Sequence, residues 1–170
     1  MEFTFETQYN TKTMTIMAKA LRKTIRKKHS RRSHIFGWIV TILGSFLVIK
    51  NFAFDFRTII TSIAILMILG ALLFEDRLNG YIAKKRLLPG TEKAVSVFSE
   101  NGFISTTDIG KSEWNYDKIM LIAETADFFV FIFSANHAQL YDKRHLHGGT
   151  ADDFRQFIER ATGKQVQAIK

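Results

Sequence analysis

Cysteine is absent from this chain. That excludes a disulfide scaffold, cysteine nucleophiles and thiolate metal sites. Proline occurs once, at Pro89, where Pro89-Gly90 marks the main boundary in the sequence. Acidic residues are the scarcer charge: 16 Asp and Glu stand against 24 Lys and Arg, for a net charge of +8. The first ten residues, MEFTFETQYN, are polar and aromatic, and lack the basic-then-apolar order of a secretory signal. Gly148-Gly149 lacks the Gly-Lys-Ser/Thr context of a phosphate-cradling loop, and no nucleophile elbow, triad order or paired-carboxylate motif appears. The reading is therefore non-enzymatic, with no catalytic residue, cofactor or metal site assigned.

Mean hydropathy is near zero for the whole chain, but apolar residues are strongly segregated. Residues 35–54 hold a single charge, Lys50, and residues 58–74 hold none. A spanning helix needs roughly 17–25 residues. The second run meets that length, and the first does so if Lys50 snorkels to the interface. Trp38 suits the near interface. The run 35–74 is read as a transmembrane hairpin. Its loop, 50–57, is too short to hold a domain, so both flanks lie on one side. Gly37 and Gly44, seven apart like Ala64 and Ala71, are small enough to allow close helix approach.

Orientation follows from lysine and arginine. Lys19, Arg22, Lys23, Arg26, Lys27, Lys28, Arg31 and Arg32 precede the first run, and Lys84, Lys85 and Arg86 follow the second; the loop holds only Lys50 and Arg57. The expectation is a cell-membrane protein with two spans and both termini cytoplasmic. Charge placed on both flanks is better explained by orientation than by nucleic acid, so no nucleic-acid partner is expected. The candidate contacts to anionic lipid are Lys27, Lys28, Arg31, Arg32, Lys84, Lys85 and Arg86. Each cation near an anionic leaflet contributes about 1 kcal/mol.

Around the hairpin the periodicity changes. Residues 1–10 alternate, with Phe3, Phe5, Thr7 and Tyr9 on one face, and predict a strand that joins the sheet of the C-terminal half. Residues 11–34 read as a basic amphipathic helix with Met14, Met17, Ala18, Leu21 and Ile25 on its apolar face. Residues 75–89 read as a juxtamembrane helix stopped by Pro89. Residues 90–170 read as a small domain: strands at 94–99, 103–107, 112–116, 118–123, 128–134 and 137–142, then a helix at 154–161 with Asp152 and Asp153 at its cap. Asn101-Gly102 signals a hairpin, and FFVFIF suggests a strand buried on both faces. The fold class is membrane α+β: a two-helix hairpin plus an antiparallel, pleckstrin-homology-like sheet domain closed by a C-terminal helix. His137, Asp142, His145 and His147 lack a recognised ligand spacing and are read as structural or solvated. Trp114 is read as a core or barrel-end residue.

The runs ENGFISTT (100–107), SEWNYDKI (112–119), ETADFFVF (124–131), LYDKRHL (140–146) and DDFRQFI (152–158) resemble the YcxB-like family of bacterial membrane proteins. The resemblance implies two transmembrane helices followed by a small cytoplasmic pleckstrin-homology-like domain. Its motifs are structural positions and transfer no functional residue. The leading expectation is a membrane-held binding module for a protein partner, with anionic lipid nearby. A competing expectation is an immunity protein that meets a toxin or bacteriocin at the hairpin and its loop. A small membrane enzyme is the weakest, because the apolar runs hold no charge at their centres. Homo-oligomerisation is compatible with each.

Overall fold

The computed structural model describes residues 2–50 and 55–169. Those residues form an α+β protein with five helices and nine strands. The chain opens with β1 (Phe3–Gln8), in which Phe3, Phe5 and Thr7 are buried and the alternate residues face outward. Asn10 then caps α1 (Thr11–Lys23): its side chain accepts from the N–H groups of Lys12 and Thr13, and Thr13 accepts from the Asn10 N–H.

The helix expected over 11–34 is interrupted. After Lys23 the backbone turns through Thr24–Arg26, where the Arg26 N–H reaches back to the Leu21 carbonyl. The Thr24 hydroxyl takes the Ala20 carbonyl, and the Arg26 guanidinium bonds the Ala135 carbonyl and the Asn136 side chain. These bonds draw the chain toward the sheet and let the next helix leave at a new angle. That helix, α2 (Lys27–Lys50), carries Lys27, Lys28, Arg31 and Arg32 in its first turns.

It is followed by α3 (Phe56–Leu73), capped by the Asp55 side chain on the Thr58 N–H. The connection 50–57, which with the hairpin forms the working surface in the immunity reading, includes 51–54, which lie outside the described residues. A Cβ on Gly37 would meet Leu72 at 2.8 Å, and one on Gly44 would meet Ile65 at 3.1 Å. The two glycines of α2 therefore receive side chains of an antiparallel α3, one heptad apart on each helix. α4 (Glu75–Lys85) continues with Glu75 and Asp76 in its first turn, where acids favour the helix dipole.

The remaining elements are β2 (Lys93–Ser99), β3 (Gly102–Thr107), β4 (Gly110–Trp114), β5 (Leu121–Glu124), β6 (Phe128–Ser134), β7 (His137–Asp142), β8 (Leu146–His147), α5 (Ala151–Thr162) and β9 (Val166–Ala168). Single 3-10 turns occupy Tyr116–Lys118 and Lys143–His145, so the strand expected at 118–123 begins only at Leu121. Short strands β8 and β9 carry too few residues to leave a period in the sequence.

Two sheets result, with strand orders β4-β3-β2-β1-β8 and β7-β6-β5-β9. The ladders are antiparallel except for β5 with β9. β1 lies between β2 and β8, with Phe3 opposite Phe98 and Thr4 opposite His147. The hairpin of α2 and α3 is thus inserted between two neighbouring strands of one sheet.

Two cores explain FFVFIF. Phe129 and Phe131 point between the sheets, into a cluster with Phe3, Phe5, Phe98, Phe103, Tyr141 and the α5 residues Phe154, Phe157 and Ile158. Phe128, Val130 and Ile132 point the other way, where Ala20 and Leu21 of α1 cover them. The apolar face of the basic helix is therefore spent on β6 and β7.

α5 is fastened at its edge by Glu124. Arg155 donates to both oxygens at 2.7 Å, and Lys143 donates at 2.5 Å. Burial pushes the Glu124 pKa up, but the bonds from Arg155 and Lys143 outweigh it and hold the carboxyl below its ordinary value. A carboxyl whose folded pKa is depressed stabilises fully above its unfolded pKa of about 4.3 and loses that contribution as pH falls through the folded pKa. Glu124→Gln should lower the unfolding midpoint at pH 7 and flatten its decline toward pH 3. Denaturant titrations across that range check both effects.

Candidate functional site

A candidate functional surface is built where α1, α2, α3 and α4 meet. Glu75 and Asp76 end the apolar run, and the turn after α1 brings basic residues to them. The Arg22 guanidinium is bidentate on Asp76, with both N···O distances 2.6 Å, and its Nε lies 3.7 Å from Glu75. Ser30 Oγ donates to Glu75 Oε2 at 3.2 Å, and His34 Nε2 lies 2.6 Å from the same oxygen. The hydrogen bonds that Arg22 donates to Asp76 raise its pKa still further. Planar two-point pairing of this kind fixes orientation as well as charge.

The clamp ties α4 to both α1 and the base of α2. α1 and α4 run antiparallel and touch backbone to backbone. A Cβ added to Gly80 would stand 2.6 Å from the Cα and the backbone N of Thr15. Alanine normally favours a helix interior over glycine by about 1 kcal/mol. Gly80→Ala should instead destabilise by about 1–3 kcal/mol, because the two helices must part. Thermal unfolding of the solubilised protein checks the sign.

The clamp separates two clefts. One, of about 470 Å³, lies between Thr15, Lys19, His34, Leu72 and Phe74. The other, of about 570 Å³, has a cationic rim from Lys27 and Arg31 with Arg22 and His34 behind it, and Ile169 as an apolar wall. Lys27, Lys28, Arg31 and Arg32 are all exposed on the first turns of α2. Lys84, Lys85 and Arg86 lie elsewhere, at the opposite end of α4. Ten residues of helix place Lys85 about 15 Å from Glu75, and Lys84 is turned toward Glu92 at 3.8 Å. The seven candidate lipid contacts thus form two groups rather than one patch.

The sequence reading did not single out Arg22, Ser30, His34, Glu75 or Asp76 as a unit. The available signal was an acidic pair directly after an uncharged run, in a chain short of acids. The histidine and acid group weighed for metal is dispersed by other partners. Asp142 is taken by Arg144, and its carboxyl is held below its ordinary pKa because bonds from Arg144 outweigh the upward push of burial. His137 packs at a tilt against Trp114 and Phe133 with centroids at 5.3 and 5.1 Å.

Two of the helices, α2 and α3, are long and apolar enough to cross a membrane, and almost none of their apolar windows is buried by the protein. No curated protein matches the chain. The solved structure of the Spt16D Pob3N heterodimer aligns at 11% identity over 44% of this chain, with a TM-score of 0.32. The chain spans 44% of the length of that structure's chain. Residues 98–159, from the end of β2 into α5, match the model of the YcxB-like protein family.

Proposed function

We propose that this chain is a non-enzymatic membrane protein whose hairpin holds a pleckstrin-homology-like domain at the cytoplasmic surface as a binding module for a protein partner. The observation that carries this reading is the pairing of an uncovered apolar hairpin with a fixed root. Phe46, Leu66 and Met67 are each at least 60% exposed, and an apolar surface of that extent calls for lipid or a partner. Both helices satisfy their own backbone groups, as lipid requires. The root is set by the Arg22–Asp76 pair and by α1 lying on β6 and β7, so the sheets keep one height and orientation on the bilayer.

Eight strands, β1 to β8, followed by the closing helix α5 support the pleckstrin-homology-like reading, with the hairpin inserted between the first two strands. The basic group at Lys27, Lys28, Arg31 and Arg32 faces the headgroups of an anionic leaflet in this arrangement, whereas Lys84, Lys85 and Arg86 point to the far end of the domain.

The test uses photo-crosslinking residues placed in the full-length protein in native membranes. Positions Lys111 and Glu113 on β4 should capture a protein partner, while Phe46 and Leu66 should capture lipid. A partner captured only from Phe46 or Leu66 would contradict the module and favour a hairpin-directed function such as immunity.

A further inference from the structure

Between the sheets, the inward positions change character along each strand. Phe98, Phe103 and Tyr141 fill the aromatic core, but further along the same faces stand Ser105, Ser112 and Gln139. A groove of about 420 Å³ opens there, walled on one side by Met14 and Met17 of α1 and at its mouth by Arg86.

Three features of this groove point to a ligand. The Trp114 Nε1 is buried and has no hydrogen-bond partner. Its ring is held by stacking on Phe103 at 6.3 Å and by a tilted contact with Phe133 at 4.7 Å, so the N–H has a fixed direction. A buried indole N–H ordinarily finds an acceptor, and leaving it without one is unfavourable.

The second feature is a strand edge. On β7 the Leu140 carbonyl faces the Tyr9 hydroxyl and the Asp142 N–H faces Thr7 Oγ1. Both therefore point away from β6. Ala138 has the same parity in the register, so its N–H and C=O also point to the free side, and Ala138 lines the groove. An unpaired main-chain donor and acceptor form a template for another strand.

The third feature is charge. Among the described residues no Asp or Glu lines the groove, and burial lowers the pKa of the His137 imidazole, leaving Arg86 as the fixed positive charge there. Methionine walls suit a ligand of variable side chain.

We propose that this groove binds an extended peptide segment bearing an acidic side chain, paired through its backbone with Ala138, hydrogen-bonded to Trp114 Nε1 and met by Arg86. The inference rests on the reading of the domain as a protein-binding module, and it names the site and the partner's chemistry. A lipid headgroup is disfavoured because Arg86 stands a full α4 length from the clamp. A small organic acid would use Trp114 and Arg86 but leave Ala138 unpaired.

The experiment presents full-length protein in detergent micelles to an immobilised array of random octapeptides. The bound sequences should share an Asp or Glu at one position. Trp114→Phe keeps the stacked ring but deletes the N–H, and Arg86→Gln changes an exposed residue outside the core. Each should weaken the best peptide about tenfold, the size expected for one lost bond. Methylating one peptide backbone nitrogen should weaken it similarly. Absence of any saturable peptide, indifference to both substitutions, or complete displacement by free glutamate overturns the groove. If β4 crosslinks still capture a partner in that case, the module reading stands; a partner crosslinked only from the hairpin overturns both.

Discussion

A fragment comprising residues 90–170 will not fold, although it contains all the strands from β2 onward, α5 and the whole family-matched segment. The missing β1 is an interior strand, hydrogen-bonded to β2 on one side and to β8 on the other. Phe3 and Phe5 are fully buried between the sheets. Phe5 alone packs against Phe98 at 5.6 Å, Tyr141 at 5.6 Å and Phe154 at 4.6 Å. Burying one such ring stabilises by about 1.5–3 kcal/mol. The two together amount to roughly 3–6 kcal/mol, against a typical net stability of about 5–15 kcal/mol. The fragment also lacks α1, so Phe128, Val130 and Ile132 face water. It should show no cooperative unfolding transition and weak near-ultraviolet dichroism. A cooperative melt of residues 90–170 alone would contradict this topology.

Phe154→Ala should be the most damaging single truncation. α5 enters the open side of the sandwich through this ring, whose centroid lies 4.6 Å from Phe5, 5.0 Å from Phe98 and 5.1 Å from Phe129. The ring is wholly buried. Removing it takes away the transfer energy and leaves a cavity walled by other rings that cannot collapse, a loss of about 3–5 kcal/mol. The cluster around Phe154 includes no described residue of α2 or α3, so insertion should be unchanged. Denaturant titration of the solubilised protein, with membrane fractionation as the control, measures the two effects separately. A midpoint shift of less than about 1 kcal/mol would mean that α5 packs more loosely than described.

Some of this architecture can be read directly from residue order. The alternation at Phe3, Phe5 and Thr7 marks the buried face of β1, because a strand shows alternate residues to opposite sides. The unbroken apolar run of β6 reflects its two cores. Gly37 and Gly44 mark where α3 side chains enter α2. Other features left no local trace. The apolar stripe of α1 fits a sheet and a membrane surface equally well, and only the partner strands decide between them. The break at Thr24–Arg26 depends on bonds to Ala135 and Asn136, more than a hundred residues away. β9 has three residues and gains its place from parallel pairing with β5. The clamp was hidden for the same reason: Arg22 and Asp76 are separated by the entire hairpin and become neighbours only when it doubles back. The groove depends on a missing bond at Trp114, which no sequence pattern encodes.

The central proposal is that the hairpin crosses the membrane between β1 and β2 while both flanks stay in the cytoplasm. The absence of cysteine makes it directly measurable, since each introduced thiol is the only one in the chain. Glu6→Cys on β1, Phe56→Cys at the start of α3 and Asn101→Cys in the β2–β3 turn are treated in intact cells with a membrane-impermeant maleimide. The account predicts labelling of Phe56→Cys in intact cells, and of Glu6→Cys and Asn101→Cys only after permeabilisation. Equal labelling at all three positions, or labelling of Glu6→Cys and Asn101→Cys on opposite sides, would contradict it.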